Sequence, residues 1–259
     1  MNKAIAALAI LGIVAVSLAF ENLANKREVK PRASEADTNG FVVIELFTSE
    51  GCSSCPPADQ LIARVQKEDL GKQVYILAYH VDYWDRQGWK DTFSDAAYSE
   101  RQSSYARWLE LSTIYTPQII INGKTGFVGS DKSTLNREIG ASLKETPKGT
   151  LTLNGTVVND QISVEYQTDF PVDQSYLVLT LIQKYGQSKV RAGENSGRTL
   201  DHVQIVRKLA IQTFLLGKGK VNLTLPKDYN SSKWELIGLV QNKKNGLILA
   251  AARSELVKQ

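Results

Sequence analysis

The sequence predicts an α/β domain at residues 41–146, followed by an all-β antiparallel, sandwich-like domain at residues 150–259. Across the first region, apolar runs alternate with helical apolar spacing in the order β-α-β-α-β-β-α. From residue 150 onward, short runs of alternating apolar and polar residues make about seven strands with turn signals between them. Such a density of short strands is typical of a sandwich. The segment from Thr146 to Thr150 is the expected boundary.

The first strand and helix of the α/β region enclose the two cysteines of the chain. The β-branched, apolar run from Phe41 to Phe47 predicts a buried strand. After a short polar turn come Cys52 and Cys55, separated by two serines and followed by prolines. A strand, a turn, a Cys-x-x-Cys pair and a helix, in this order, are typical of a thiol–disulfide redox centre. The helix begins at once, because apolar residues recur on one face at helical spacing: Ala58, Leu61, Ile62 and Val65.

The position of Cys52 at the start of this helix favours a reactive thiolate. Unpaired amide groups and the positive end of the helix dipole stabilise negative charge there. Cysteines so placed have thiol pKa values lowered from about 8.5 to roughly 3.5–7.5. A dithiol exchanger needs one exposed attacking sulfur and one buried resolving sulfur. We therefore expect Cys52 to be exposed and Cys55 to be buried, and we expect no cofactor.

A single Cys-x-x-Cys pair leaves other interpretations open. It could be half of a zinc site, a pair of soft-metal ligands or a static disulfide. The chain has no second cysteine pair and only two histidines, which weakens the zinc interpretation. The metal alternative that remains is a Cu(I) or Zn(II) site built from Cys52, Cys55 and His80.

The N-terminus predicts export of the chain. An apolar run from Ala4 to Phe20 follows the single charge of Lys3, and small residues offer a cleavage site before Phe20. Residues 1–20 are therefore expected to be a signal peptide or an uncleaved N-terminal anchor, and residues 21–40 a flexible lead-in. The expected location is periplasmic or secreted, with membrane attachment only if the segment is uncleaved.

Composition restricts the classes of partner. The formal net charge is +4 and charges of both signs are interspersed, so no basic stripe predicts nucleic-acid binding. Paired cysteines persist as disulfides in an oxidising compartment. A single pair therefore agrees with an exported redox protein.

The second predicted strand should bring polar side chains to the cysteines. The apolar run from Gln73 to Tyr79 leads into His80 and Asp82. Two strands joined through a helix are expected to be parallel, so both end at the same edge of the sheet. His80 is then a candidate proton carrier and Asp82 a candidate base for the resolving thiol, although an ordinary structural role fits both equally. Trp84 belongs to an aromatic group that could line a peptide groove or pack between the domains.

The order of these elements resembles the thioredoxin fold. The resemblance rests on Cys-x-x-Cys after the first strand and on Thr116-Pro117 at the start of the third. It implies that Pro117 is a cis-proline facing the cysteines, with Thr116 beside it. It covers about residues 41–144, in which Ser94 and Ser133 are the expected starts of the later helices.

Five sequence blocks resemble a more specific family, the exported, thioredoxin-like bacterial family DUF1223. The resemblance spans nearly the whole chain after the N-terminal segment but implies little about activity, because the family is defined as a domain of unknown function. The blocks are residues 47–57, His80 to Trp84, Gly88 to Asp91, Tyr115 to Gln118 and Gly193 to Arg198.

One segment of the C-terminal half does not fit a sandwich strand. Residues Lys189 to His202 are polar, contain glycine and include Arg198. The segment could be an ordinary solvated loop. Alternatively, it reaches the cysteine edge and turns Arg198 or His202 toward substrate.

The leading functional prediction is an exported thiol–disulfide oxidoreductase that acts on protein substrates. Its expected partners are exported protein thiols or disulfides and an unidentified redox partner. The alternatives are the Cu(I) or Zn(II) site and a non-catalytic binding protein whose disulfide is structural.

Overall fold

A computed structural model describes residues 40–68, 73–171, 173–214 and 216–258 of the chain. The predicted signal peptide or anchor at 1–20 lies outside the described residues, as does the lead-in at 21–40 except for Gly40. Of the helices in the described ranges, none combines the length and apolar character needed to span a membrane.

The N-terminal elements follow the predicted order β-α-β-α-β-β-α. Pro56 opens the first helix, where a missing amide hydrogen costs nothing. The caps of the next two helices are Asp95 and Asp131, not the predicted serines. The elements are β1 (Val42–Thr48), α1 (Pro56–Glu68), β2 (Val74–His80), a 3-10 turn (Asp85–Gln87), α2 (Ala96–Trp108), β3 (Gln118–Ile121), β4 (Thr125–Val128) and α3 (Lys132–Ser142).

The C-terminal elements are strands, apart from one short 3-10 turn. The elements are β5 (Leu151–Val158), β6 (Gln161–Thr168), β7 (Ser175–Lys189), β8 (Thr199–Thr213), β9 (Lys218–Thr224), a 3-10 turn (Ser231–Lys233), β10 (Trp234–Asn242), β11 (Ile248–Ser254) and β12 (Leu256–Lys258). The hairpin of β7 and β8 extends into the segment Lys189 to His202 that the sequence predicts to be a loop, so that only residues 190–198 connect the two strands.

The strands of the described residues form two sheets, and the larger one includes strands from both halves of the chain. Its eight strands have the order β11-β10-β7-β8-β2-β1-β3-β4, and the four-stranded sheet has the order β12-β5-β6-β9. The two halves meet where β2 and β8 run parallel, with Ala78 paired to Ile205.

This sheet shows that the predicted fold class is wrong. The molecule is mostly β, and it is not a thioredoxin-like α/β domain followed by a sandwich of its own. The physical reason is that β7 and β10 are buried on both faces. Leu177 and Leu179 pack toward the four-stranded sheet, whereas Val178 and Ile182 pack into the core that contains α2.

The core has three parts, and together they fix the edge of the sheet that carries the cysteines. One face of β1, β2 and β3 is covered by α1 and α3. The opposite face shares a core with α2 and with β7 and β10. The four-stranded sheet covers the remaining face of the C-terminal strands. The start of α1 and the end of β2 are therefore held by packed elements.

A buried polar cluster also joins the two halves, and we call it the Arg101 cluster. It consists of Glu45 on β1, Arg101 and Tyr105 on α2, and Gln241 on β10. Arg101 Nε donates to Glu45 Oε1 at 2.7 Å, and Gln241 Nε2 donates to the Tyr105 hydroxyl at 2.9 Å. Tyr105 also donates to Glu45. The carboxylate and the guanidinium thus neutralise each other inside the core.

Candidate functional site

The cysteine turn, residues 49–55, connects β1 to α1. Cys52 and Cys55 form a disulfide, and the backbone amide of Cys55 donates to the carbonyl oxygen of Cys52 at 3.2 Å. Cys55 then accepts from the amides of Ala58 and Asp59, which begins the helix. Both cysteine residues have 0% exposure. The prediction that Cys52 is exposed is therefore wrong for this disulfide form.

The loop before β3 lies beside the cysteine turn. The Thr116–Pro117 peptide bond is cis, which confirms that prediction. The hydroxyl of Ser54 donates to the Thr116 carbonyl oxygen at 3.5 Å. Trp84 Nε1 donates to Thr116 Oγ1 at 2.7 Å. Thr116 and Trp84 are thus next to the turn, and the roles predicted for them and for Pro117 stay predictions.

Asp82 has a partner on another element. Its backbone amide donates to Ser99 Oγ at 3.1 Å, and the hydroxyl of Ser99 donates back to the Asp82 carboxylate. Ser99 lies in the first turn of α2. The structure therefore joins Asp82 to that helix.

The 190–198 loop, which connects β7 to β8, lies against the cysteine turn. The side-chain amide of Asn195 donates to the carbonyl oxygens of Glu50 and Cys52, each at 2.9 Å. Glu194 Oε2 accepts from the Ser53 amide at 2.9 Å. The predicted position of this loop at the cysteine edge is confirmed. The guanidinium of Arg198 donates to Asn195 Oδ1 at 2.7 Å, and its predicted role toward substrate stays a prediction.

A second buried group, the acid–histidine cluster, consists of Glu50, His80, Asp91 and His202. His80 Nδ1 and Asp91 Oδ2 are 2.7 Å apart, and the Glu50 amide donates to the same oxygen at 2.7 Å. His202 Nε2 is 3.7 Å from Glu50 Oε1, and the rings of His80 and His202 are 4.8 Å apart. Because Glu50 lies two residues before Cys52, the cluster supports the cysteine turn from inside.

The cluster is unevenly charged and incompletely hydrogen-bonded. Burial raises the pKa of Glu50, and the charge of Asp91 adds to that effect. Burial opposes a charge on His80, but Asp91 outweighs it, and the pKa of His80 is raised. Burial lowers the pKa of His202 to about 3, with repulsion from His80 adding to it, so His202 is neutral at pH 7. His80 Nε2 and His202 Nδ1 have no hydrogen-bond partner within the described ranges.

Comparison with known proteins identifies the family. The model of the family described as protein of unknown function, DUF1223, matches residues 43–241. The chain belongs to this family. A search of curated proteins finds no match. The family match therefore confirms the resemblance but brings no activity with it.

This DUF1223 protein is similar in fold to a solved structure over most of its length. The solved structure is that of a protein from Agrobacterium tumefaciens, determined by a structural genomics consortium, with 26% identity, a TM-score of 0.63, and coverage of 82% of this chain and 92% of that chain. A domain of the outer membrane lipoprotein Omp28 from Porphyromonas gingivalis reaches 10% identity and a TM-score of 0.26, covering 44% of this chain and 91% of its own. The second value is too low to support a structural argument.

Sequence reasoning assigned no role to Glu50 and Asp91, and it also missed a third buried carboxylate near the cysteine turn, Asp59. Its Oδ2 accepts from Thr48 Oγ1 at 3.2 Å, and it is nearly fully buried. Burial raises its pKa to about 7, although the charge of His80 partly opposes this. Asp59 follows Cys55 by four residues, and such residues project from the same helix face. This spacing, with a carboxylate between the apolar residues Ala58 and Leu61, was the signal available in the sequence.

The metal alternative receives no support from the geometry. In the described parts of the chain, no group of three or more histidine, cysteine, aspartate or glutamate side chains is arranged to hold a metal ion. The site proposed from Cys52, Cys55 and His80 stays a prediction.

Proposed function

We propose that this DUF1223 protein is an exported thiol–disulfide oxidoreductase that acts on other proteins through Cys52 and Cys55. The observation that carries the proposal is the disulfide that closes the turn before α1. At that point Cys52 follows a buried strand and Cys55 directly precedes a helix, so a thiolate would lie near the positive end of the helix dipole. The N-terminal apolar run supports export, and an oxidising compartment would maintain the disulfide.

The exchange conserves atoms and electrons. A thiolate of a substrate dithiol attacks Cys52 Sγ, the bond to Cys55 breaks, and its electron pair leaves on Cys55 Sγ. The second substrate thiol loses its proton to water and attacks the mixed disulfide, and Cys52 leaves as a thiolate. The substrate gains a disulfide, and two electrons pass to the protein. A partner disulfide would accept these electrons to regenerate the starting form, and the reverse sequence would reduce a substrate.

Asp59 supports this chemistry better than Asp82 does. A resolving thiol needs a nearby group that can exchange a proton close to neutral pH. Asp59 is buried one helical turn after Cys55 and has a pKa of about 7. In the protonated form it would supply a proton to the departing Cys55 thiolate, and as a carboxylate it would take that proton back.

The test is to trap substrates with Cys55→Ser in the full chain, expressed with its own N-terminal segment. Without the resolving thiol, mixed disulfides on Cys52 should accumulate and disappear on reduction. The double variant Cys52→Ser with Cys55→Ser is the matched control and should give no adducts. If the single variant also gives none, the exchange proposal is wrong. Binding of one Cu(I) by the wild type, lost in His80→Ala, would then favour the metal alternative.

A further inference from the structure

We propose that the 190–198 loop is a lid over the disulfide, and that it must open before any partner can reach the sulfurs. This inference rests on the proposed function for its biological meaning. The physical claim, that the loop controls access to the sulfurs, can be tested without knowing the substrate.

The first argument is that the disulfide is inaccessible in the structure. Cys52 and Cys55 each have 0% exposure, although the two serines between them are exposed. Exchange proceeds through attack by a thiolate along the line of the disulfide bond, so at least one sulfur must be uncovered. The closed form therefore cannot react, and a conformational change must precede the chemistry.

The second argument is that the loop holds the cysteine turn through few, identifiable bonds. Asn195 is fully buried and donates both amide hydrogens to carbonyl oxygens of the turn, those of Glu50 and Cys52. Glu194 accepts from the amide of Ser53, and hydrogen bonding to the side chain and then the backbone amide of Ser53 lowers the pKa of the exposed Glu194 carboxyl. Two side chains thus make three hydrogen bonds from the loop to the turn.

The third argument is that the loop is a formed unit that can move without unravelling. The amide of Val190 donates to the Arg198 carbonyl oxygen at 3.0 Å, and the Gly197 amide donates to the Val190 carbonyl oxygen at 2.9 Å. The guanidinium of Arg198 also donates a hydrogen bond to the side-chain oxygen of Asn195, within the loop. Gly193 and Gly197 have φ of 75° and 82°, which glycine adopts without strain. Opening therefore need only break the contacts to neighbouring elements.

The groups that opening would release suit a protein partner. They are the amide of Ser53 and the carbonyl oxygens of Glu50 and Cys52, which are one donor and two acceptors on the backbone. A polypeptide segment carries both complementary groups at regular spacing. The loop and a protein substrate would therefore compete for the same positions on the cysteine turn.

The test measures how fast tris(2-carboxyethyl)phosphine reduces the disulfide in Asn195→Asp. The phosphine becomes its oxide, water supplies the oxygen and the protons, and both sulfurs become thiols. Asn195→Asp keeps the shape of the side chain but replaces both donated hydrogens with lone pairs facing carbonyl oxygens. We expect the reduction rate to rise about tenfold, the scale expected for losing two buried hydrogen bonds. Asn136→Asp, an exposed position on α3, is the matched control and should leave the rate unchanged.

A series at low urea separates lid opening from general unfolding. Local opening exposes little surface, so the reduction rate should depend only weakly on urea, whereas global unfolding gives a steep dependence. An unchanged rate in Asn195→Asp, or a steep urea dependence in the wild type, overturns the lid. Trapping with Cys55→Ser tests the proposed function separately. Faster reduction in Asn195→Asp together with no trapped partners in Cys55→Ser would support the lid proposal and reject the oxidoreductase proposal.

Discussion

Two buried polar clusters join the halves of this protein, and they differ in how completely their polar groups are paired. In the Arg101 cluster one guanidinium meets one carboxylate, and the tyrosine hydroxyl and the glutamine amide complete the hydrogen bonds. The acid–histidine cluster has two carboxylates and two imidazoles. Two of the imidazole nitrogens, His80 Nε2 and His202 Nδ1, have no hydrogen-bond partner among the described residues.

The difference separates a structural role from a chemical one. A buried network whose members are all satisfied fixes the packing of the elements that it joins. Buried polar atoms without partners are uncommon in native proteins, and each one needs an explanation. In the acid–histidine cluster they belong to a group that includes Glu50 of the cysteine turn, and the proposed exchange at that turn would require proton transfer. We therefore expect the Arg101 cluster to control stability and the acid–histidine cluster to control how the protein responds to pH.

The largest expected effect comes from breaking the Arg101 cluster with Arg101→Met. This change leaves the carboxylate of Glu45 buried without its counter-ion, and removing one partner of a buried pair costs about 3–5 kcal/mol. The free energy of unfolding, measured with urea at pH 7, should fall by that amount. The reduction rate of the disulfide at low urea should change much less.

The control for this prediction is the double variant Glu45→Gln with Arg101→Met. It removes both charges, so part of the lost stability should return. A single variant that loses less than about 1 kcal/mol would show that the cluster behaves like an exposed ion pair and does not anchor the two halves.

The sequence predicts the local elements better than it predicts their assembly. The apolar run of β1 and the helical spacing of α1 are local patterns, and both elements form where expected. The assembly of β7, β8 and β10 could not be predicted in the same way. An apolar strand buried on both faces does not specify its neighbours, and the halves meet through the parallel pairing of Ala78 with Ile205, far apart in sequence.

In the candidate site, too, the local features could be predicted from the sequence, whereas the contacts between distant segments could not. The cysteine pair is a local motif, and the cis peptide bond at Pro117 was expected from the resemblance to the thioredoxin fold. Asp59 was within reach, since its spacing from Cys55 is a property of the helix. The two hydrogen bonds of Asn195 to the cysteine turn were not, because they depend on a long hairpin that brings this loop across the sheet edge.

The second prediction concerns Asp59→Asn, which should raise the free energy of unfolding where Arg101→Met lowers it. The folded protein holds a proton on Asp59 up to about pH 7, whereas the unfolded chain loses it near its ordinary pKa of 3.8. Wild-type stability should therefore fall as the pH rises through this window. The variant carries no ionisable group at this position. It should be more stable than the wild type by about 2–4 kcal/mol at pH 8, and nearly equal to it at about pH 4.

Urea unfolding of both oxidised proteins at the two pH values provides the measurement. Thr48→Ala is the control, because it removes the hydroxyl that donates to Asp59 but keeps the carboxyl group. If Asp59→Asn is no more stable than the wild type at pH 8, the buried carboxyl is not protonated at neutral pH and its proposed role in proton exchange fails.

The smallest effect is expected from His202→Gln, and it appears only in acid. Burial lowers the pKa of His202 to about 3, so the folded protein keeps this ring neutral while the unfolded chain binds a proton below about 6.5. Because only the unfolded chain gains this proton, the free energy of unfolding falls as the pH drops below about 6.5. In the variant, the loss between about pH 6.5 and pH 5 should be smaller by roughly 1–2 kcal/mol.

His80→Gln is the matched control, because it removes the second histidine of the same cluster and should act in the opposite direction. The pKa of His80 is raised, so its ion pair with Asp91 contributes stability below about pH 6.5 that is lost as the pH rises through the folded pKa. Removing it should therefore cost more stability at pH 5 than at pH 8. If both variants changed the acid response in the same direction, the pKa values of His80 and His202 would be shifted in the same direction. The opposite shifts inferred for the two imidazoles would then be wrong.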